Sequence, residues 1–145
     1  MKLRTIGYEA ATQSAVIRCL KRAGVEVVID VRAVASSRRA GFSKTLLQAS
    51  LADAGIDYVH LRALGTPKAG RQAVRAGRVA EMETIYAAHL QEPEAQLQLG
   101  EALDIARERS AALLCYEAEA VHCHRRIVAG RLMELEAFEV EDLRP

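Results

Sequence analysis

The chain has no tryptophan, four tyrosines, two phenylalanines, three prolines and three cysteines in 145 residues. With so few aromatics, the core must be built from Leu, Val, Ile and Ala, and base stacking on single-stranded nucleic acid has few platforms. No apolar run approaches the roughly 18 residues that a membrane span needs. The N-terminal stretch MKLRTIGYEAATQ lacks the apolar centre of a signal peptide. Both absences lead to the expectation of a cytoplasmic protein with no membrane partner. The cysteines, Cys19, Cys115 and Cys123, are odd in number, which argues against a disulfide framework. Cys19 reads as buried filler in a helix-like segment. No Walker loop, dinucleotide fingerprint, Cys-x-x-Cys or His-Glu-x-x-His occurs, so neither a cofactor nor a metal is expected, although Cys115, Glu117, His122, Cys123 and His124 offer ligand atoms for a zinc alternative. The phosphatase type of loop, which needs Arg six residues after its Cys, fails because residue 129 is Ala.

Length and a 50% apolar content fit one domain, residues 1–145, with a single core. Net charge is +1, but its distribution is uneven. Residues 1–80 hold 14 Lys/Arg against 5 Asp/Glu, and residues 81–145 hold 6 against 14. This asymmetry marks either an anion-binding side or two sequence halves that neutralise each other across the folded surface.

Periodicity gives the elements. Leu3–Ile6 is a short strand ended by Gly7. Thr12 or Ser14 caps a helix to about Ala23. Val25–Val31, rich in β-branched residues, has the composition of a strand buried on both faces. A polar loop, 32–42, leads to Ser43, which caps a helix through Ala54, and Asp57–Leu61 is the next strand. The basic connection Arg62–Arg78 reads as a binding loop or lid. Helices follow at Val79–Leu90 and from Pro93 to about Arg109, then a strand at Ala111–Cys115, a helix over about Val121–Met133 and a final short strand within Leu135–Leu143. This order predicts an α/β, Rossmann-like three-layer fold: a mostly parallel sheet of about five strands with helices on both faces.

Such sheets carry chemistry at the carboxyl ends of their strands. Three ends are rich in polar groups: Asp30-Val31-Arg32 with Ser37-Arg38 and Arg39 beyond it, His60-Leu61-Arg62, and Cys115-Tyr116-Glu117. Strand alternation puts Asp30 with Arg32, and Cys115 with Glu117, on common faces. Asp30 would orient Arg32, and Arg32, Ser37, Arg38 and Arg125 are the candidate anion binders. Glu117 is the candidate general acid or base, alongside Asp30 and His124, unless Arg125 or Arg32 holds it ionised. Cys123-His124-Arg125 falls in the first turn of a helix, where a thiolate is stabilised, so Cys123 is a candidate nucleophile with His122 or His124 as its base, or else a packed thiol. Cys115 reads as core.

As a set these residues resemble the domain-of-unknown-function 488 family along nearly the whole chain. The matching pieces are Thr5-Ile6-Gly7-Tyr8, Val28–Arg32 with Ser37, Arg38 and Phe42, Ile56-Asp57-Tyr58, Leu64-Gly65, and Leu114–Glu117 with Cys123-His124-Arg125. The resemblance implies a small α/β protein with a polar pocket at the strand ends, and it supplies no activity. In this chain Gly65 is followed by Thr66-Pro67, where many members of that family carry a second Gly.

Three functions fit the residues. The first is a hydrolase or nucleotide- or nucleic-acid-processing enzyme for a phosphate-bearing substrate. The second is a non-catalytic module for nucleic acid or another anionic partner, tracked by Arg62, Lys68, Arg71, Arg75 and Arg78. The third is a structural ion-pair network made of Asp30–Arg32 and Glu117–Arg125. A homodimer is the assembly to test for.

Overall fold

The computed structural model describes residues 1–145, the side chain of His122 excepted. Five strands, β1 (Lys2–Gly7), β2 (Val27–Asp30), β3 (Asp57–His60), β4 (Ala111–Cys115) and β5 (Glu139–Leu143), form one sheet in the order β3-β2-β4-β1-β5. Every pairing is parallel. Six helices connect them: α1 (Gln13–Arg22), α2 (Lys44–Asp53), α3 (Lys68–Arg75), α4 (Val79–Leu90), α5 (Pro93–Glu108) and α6 (His124–Leu135). The architecture is the expected three-layer α/β fold.

Side-chain alternation along β4 divides the core. Ala112 and Leu114 join Ile6, Val28, Leu20 and Leu47 under α1 and α2. Leu113 and Cys115 join Ile29, Tyr86, Leu103 and Leu132 under α3–α6. The central strand is fully buried at Leu113 and Leu114, which explains its unbroken apolar sequence.

Local rules set the helix ends. The Thr12 hydroxyl accepts from the Ala15 N–H at 3.1 Å and starts α1. Ser43 sits at the cap position of α2 but makes no cap bond. Its hydroxyl is taken by the main chain of Ser37, which ties down the preceding loop. Pro93 occupies the first turn of α5.

The segment 62–78 differs from the expected loop. It folds into a short helical turn, Arg62–Leu64, and then α3. Glycines and Pro67 suggested irregular chain, yet Gly70 lies inside α3 because the approach to Thr66 leaves no room for a side chain: a Cβ there would meet the Thr66 methyl at 2.5 Å. The expected strand over 25–31 is shorter, Val27–Asp30, and α6 begins at His124 after a separate turn at Ala120–His122. None of the described helices is long and apolar enough to cross a membrane.

Candidate functional site

Strand register brings distant sequence to one rim. Gly7 of β1 pairs with Cys115 of β4, and Asp30 of β2 pairs with Leu114. The residues that follow these strands, together with the start of α6, surround a cavity of about 530 Å³. Cys115, Glu117 and His124 line it from the β4–α6 side, Arg32 from the end of β2, and Arg71 and Arg75 from α3. The volume lies within the range of small-molecule sites.

Asp30 is fully buried and points towards the α1–α2 layer. It accepts from Arg32 at 2.7–3.1 Å through Nε and Nη2, from the Arg32 main-chain N–H at 3.0 Å, and from the Tyr58 hydroxyl at 2.5 Å. The Arg32 Nη1 donates to the Tyr8 hydroxyl at 3.0 Å and to the Phe42 carbonyl at 2.7 Å. Of the five guanidinium hydrogens, these partners leave one on Nη2 for a ligand. Burial opposes the charge on Arg32, but the hydrogen bonds and charge of Asp30 outweigh it and hold the guanidinium ionised. Burial and the bond to Asp30 push the Tyr58 hydroxyl up. Asp30 does not line the cavity whereas Arg32 does, and the carboxylate fixes the guanidinium across the strand end.

On the other side of the rim, Cys115 and Glu117 do share a face: Sγ lies 3.4 Å from Glu117 Oε2. The Cys115 sulfur is also 3.5 Å from His124 Nδ1, and the Cys123 sulfur is 3.8 Å from the same nitrogen. The other ring nitrogen, Nε2, lies 2.6 Å from the carbonyl of Val31. Burial, followed by the negative Cys123, pushes Glu117 up to about 7. Burial pushes the Cys115 thiol up, and its hydrogen bond to Cys123 adds to this. Burial also opposes a Cys123 thiolate, but the Cys115 hydrogen bond and the positive His124 and Arg125 outweigh it and bring Cys123 down. Cys123 is buried at the N-cap of α6 and does not line the cavity; Cys115 packs in the core under α3–α6, as expected, and also borders the cavity. The side chain of His122, the other proposed base for Cys123, lies outside the described residues.

Arg125 is completely buried and does not reach the cavity. Its Nη1 donates to the Glu117 carbonyl at 2.5 Å and its Nη2 to the Ala118 carbonyl at 3.2 Å. The expected Glu117–Arg125 ion pair is thus replaced by a clamp on the main chain, which leaves the carboxyl of Glu117 to the cavity. Gly7 completes this clamp. A Cβ on it would sit 1.7 Å from the Glu117 carbonyl oxygen. Gly7→Ala is expected to push the Cys115–Glu117 turn away and cost about 1–3 kcal/mol, read as a shift in the urea midpoint. An unchanged midpoint would mean that the turn yields freely.

The loop after β2 behaves otherwise than expected. The Ser37 hydroxyl accepts from the Arg39 N–H at 3.1 Å, its main chain binds Ser43, and Arg38 is exposed; neither Ser37 nor Arg38 lines the cavity, whereas Ser36 does. Ser37 holds the loop on α2 through its main chain and stands outside the cavity. The basic set of 62–78 is also divided. Arg71 and Arg75 line the large cavity, Arg62 lines a second one of about 180 Å³, and Arg78 pairs with Glu81 at 2.5 Å. The i, i+4 spacing of Arg71 and Arg75 was the signal that would have placed both on one helix face.

Residues 12–132 match the model of a family described as domain of unknown function DUF488. No curated protein and no solved structure matches the chain.

Proposed function

Since the chain belongs to the DUF488 family, whose description assigns no activity, we propose from the site itself that it is an enzyme acting on a small phosphate-bearing substrate, of the hydrolase or nucleotide-processing kind. The observation that carries this reading is a cavity lined by three arginines and a carboxyl group. Arg32 is neutralised by Asp30, so Arg71 and Arg75 supply the uncompensated positive charge. Arg71 is steered by its bond to the Thr66 carbonyl at 2.7 Å. A guanidinium presents a planar fork suited to phosphate oxygens. Glu117 faces the space these groups enclose and is the residue that moves a proton. In hydrolysis of a phosphoester, the water oxygen bonds to phosphorus, the bond to the leaving oxygen breaks, and Glu117 takes the proton that water releases.

The cavity size favours a substrate of nucleotide dimensions over a nucleic-acid track, and the dispersal of Arg62 and Arg78 away from Arg71 and Arg75 weakens the binding-module alternative. The test is calorimetric titration with inorganic phosphate, followed by a panel of nucleotides and phosphoesters. Wild type is expected to bind phosphate, and the Arg71→Ala/Arg75→Ala double variant to lose at least about tenfold in affinity, which corresponds to 1.4 kcal/mol. Equal binding by the two proteins, or none by either, sinks the reading.

A further inference from the structure

We propose that Cys115, Cys123 and His124 hold a tetrahedral transition-metal ion, zinc in type, at the edge of the large cavity, with the fourth position open towards Glu117. The two sulfurs and the His124 ring nitrogen all lie within 4.8 Å of one another. Zinc bonds of about 2.3 Å to sulfur and 2.0–2.1 Å to nitrogen define a tetrahedron whose S–N edges are about 3.5 Å. The Cys115 edge to Nδ1 is 3.5 Å and the Cys123 edge is 3.8 Å. The two edges on Nδ1 thus have about the lengths of a zinc tetrahedron. The Cys115 sulfur also lies 4.0 Å from Nε2, over the ring rather than along the Nδ1 lone pair, so a turn of the His124 ring about its Cβ–Cγ bond is what aims Nδ1 at a shared ion.

The second shell agrees. A metal-bound imidazole commonly donates its other N–H to a carbonyl, which fixes tautomer and ring plane. His124 Nε2 is 2.6 Å from the Val31 carbonyl at the end of β2. That bond places the hydrogen on Nε2 and leaves the Nδ1 lone pair for an ion. Tyr86 meets the ring edge-on with centroids 5.4 Å apart and limits its rotation. Burial of all three ligands, with exposures of 5%, 1% and 6%, excludes competing water from the inner side.

Donor chemistry selects the ion. Two thiolates and an imidazole suit zinc and disfavour magnesium and calcium, which take oxygen ligands. Cys115, His124 and Glu117 line the cavity while Cys123 closes the site from behind. Three protein ligands with one open position is the pattern of a catalytic zinc centre rather than a structural one. Glu117 Oε2, 3.4 Å from the Cys115 sulfur, is placed to accept from a water in that position. The linear sequence argued against a metal because no Cys-x-x-Cys occurs; here the ligands come from a strand end and a helix start, which the fold and not the spacing brings together.

The inference stands on ligand geometry and does not need the phosphate reading. The test uses protein in reducing buffer, stripped with chelator and titrated with cobalt(II). Wild type is expected to bind one equivalent with a sulfur-to-cobalt charge-transfer band and tetrahedral visible bands, both erased by added zinc. Cys115→Ser and Cys123→Ser should each lose charge-transfer intensity. His124→Ala should weaken cobalt binding by at least about tenfold, a floor taken from the losses that even outer-shell partners cause. Glu117→Gln should keep the spectrum. Wild-type protein without a sulfur-to-cobalt band, or a band that survives both serine substitutions, overturns the proposal. The wild-type titration decides by itself if a variant fails to fold. A missing band alongside intact phosphate binding removes the metal alone, and a normal band without phosphate binding removes the anion pocket alone.

Discussion

Asp30→Ala is expected to lower stability by about 3–5 kcal/mol, because it strands a buried guanidinium without its counter-charge. For a chain of this length that corresponds to a fall in melting temperature of roughly 10 °C or more. The size follows from geometry. Arg32 is 5% exposed, Asp30 is wholly buried, and the carboxylate accepts from three donor groups of Arg32 and from Tyr58. Tyr8 and the Phe42 carbonyl offer dipoles but no charge to replace the lost carboxylate. The double variant Asp30→Leu/Arg32→Met should recover much of the loss, since buried pairs replaced together by apolar groups are often tolerated. A double variant no more stable than Asp30→Ala would show that Arg32 is not the source of the cost. An Asp30→Ala protein that melts like wild type would show that the pair is not closed in solution.

That coupling separates what the sequence revealed from what it concealed. Alternation correctly paired Asp30 with Arg32 and Cys115 with Glu117, because side-chain parity along a strand is fixed by the backbone. The same parity sends Asp30 under α1–α2 and Cys115 under α3–α6, so the two pairs lie on opposite faces of the sheet. They meet only because Arg32 and Glu117 stand beyond the strand ends, where the chain is free to turn over the rim. The sheet order was not legible, since periodicity carries no information on which strand inserts between β1 and β2.

Side-chain competition was equally hidden. Ser37 and Arg38 had the composition of an anion loop, but Ser43 gives its hydroxyl to Ser37 instead of capping α2, and this turns the loop into a brace. Arg125 looked like a ligand for Glu117 or a phosphate. It serves the main chain instead, because two orphan carbonyls follow β4 and Gly7 leaves space for its head group, 3.0 Å from where a Cβ would lie. A buried arginine that fixes backbone and one that faces a cavity have the same sequence signature. Only packing tells them apart.

Glu117→Gln should lower turnover of a phosphate-bearing substrate by about 10²–10⁴-fold, the contribution typical of a positioned proton-transfer group. Stability should not fall, and above about pH 5 the variant should gain on wild type, because burial pushes Glu117 up to about 7 and the carboxyl therefore ionises in the unfolded chain before it does in the folded one. Two features keep these effects separate. Arg125 holds residue 117 by its main-chain carbonyl, which the substitution leaves intact. The amide oxygen of Gln can still accept from the Cys115 thiol, now at 3.4 Å from the carboxyl group. Arg32→Ala offers no such separation, since it leaves Asp30 buried and unpaired and unfolding would mimic a lost contact. The distinguishing control is Arg71→Ala/Arg75→Ala, which removes charge that binds substrate and transition state alike and should raise KM more than it lowers kcat. A Glu117→Gln protein with wild-type kcat would remove the carboxyl from the chemistry. The cavity would then be a binding pocket whose arginines act without a proton carrier.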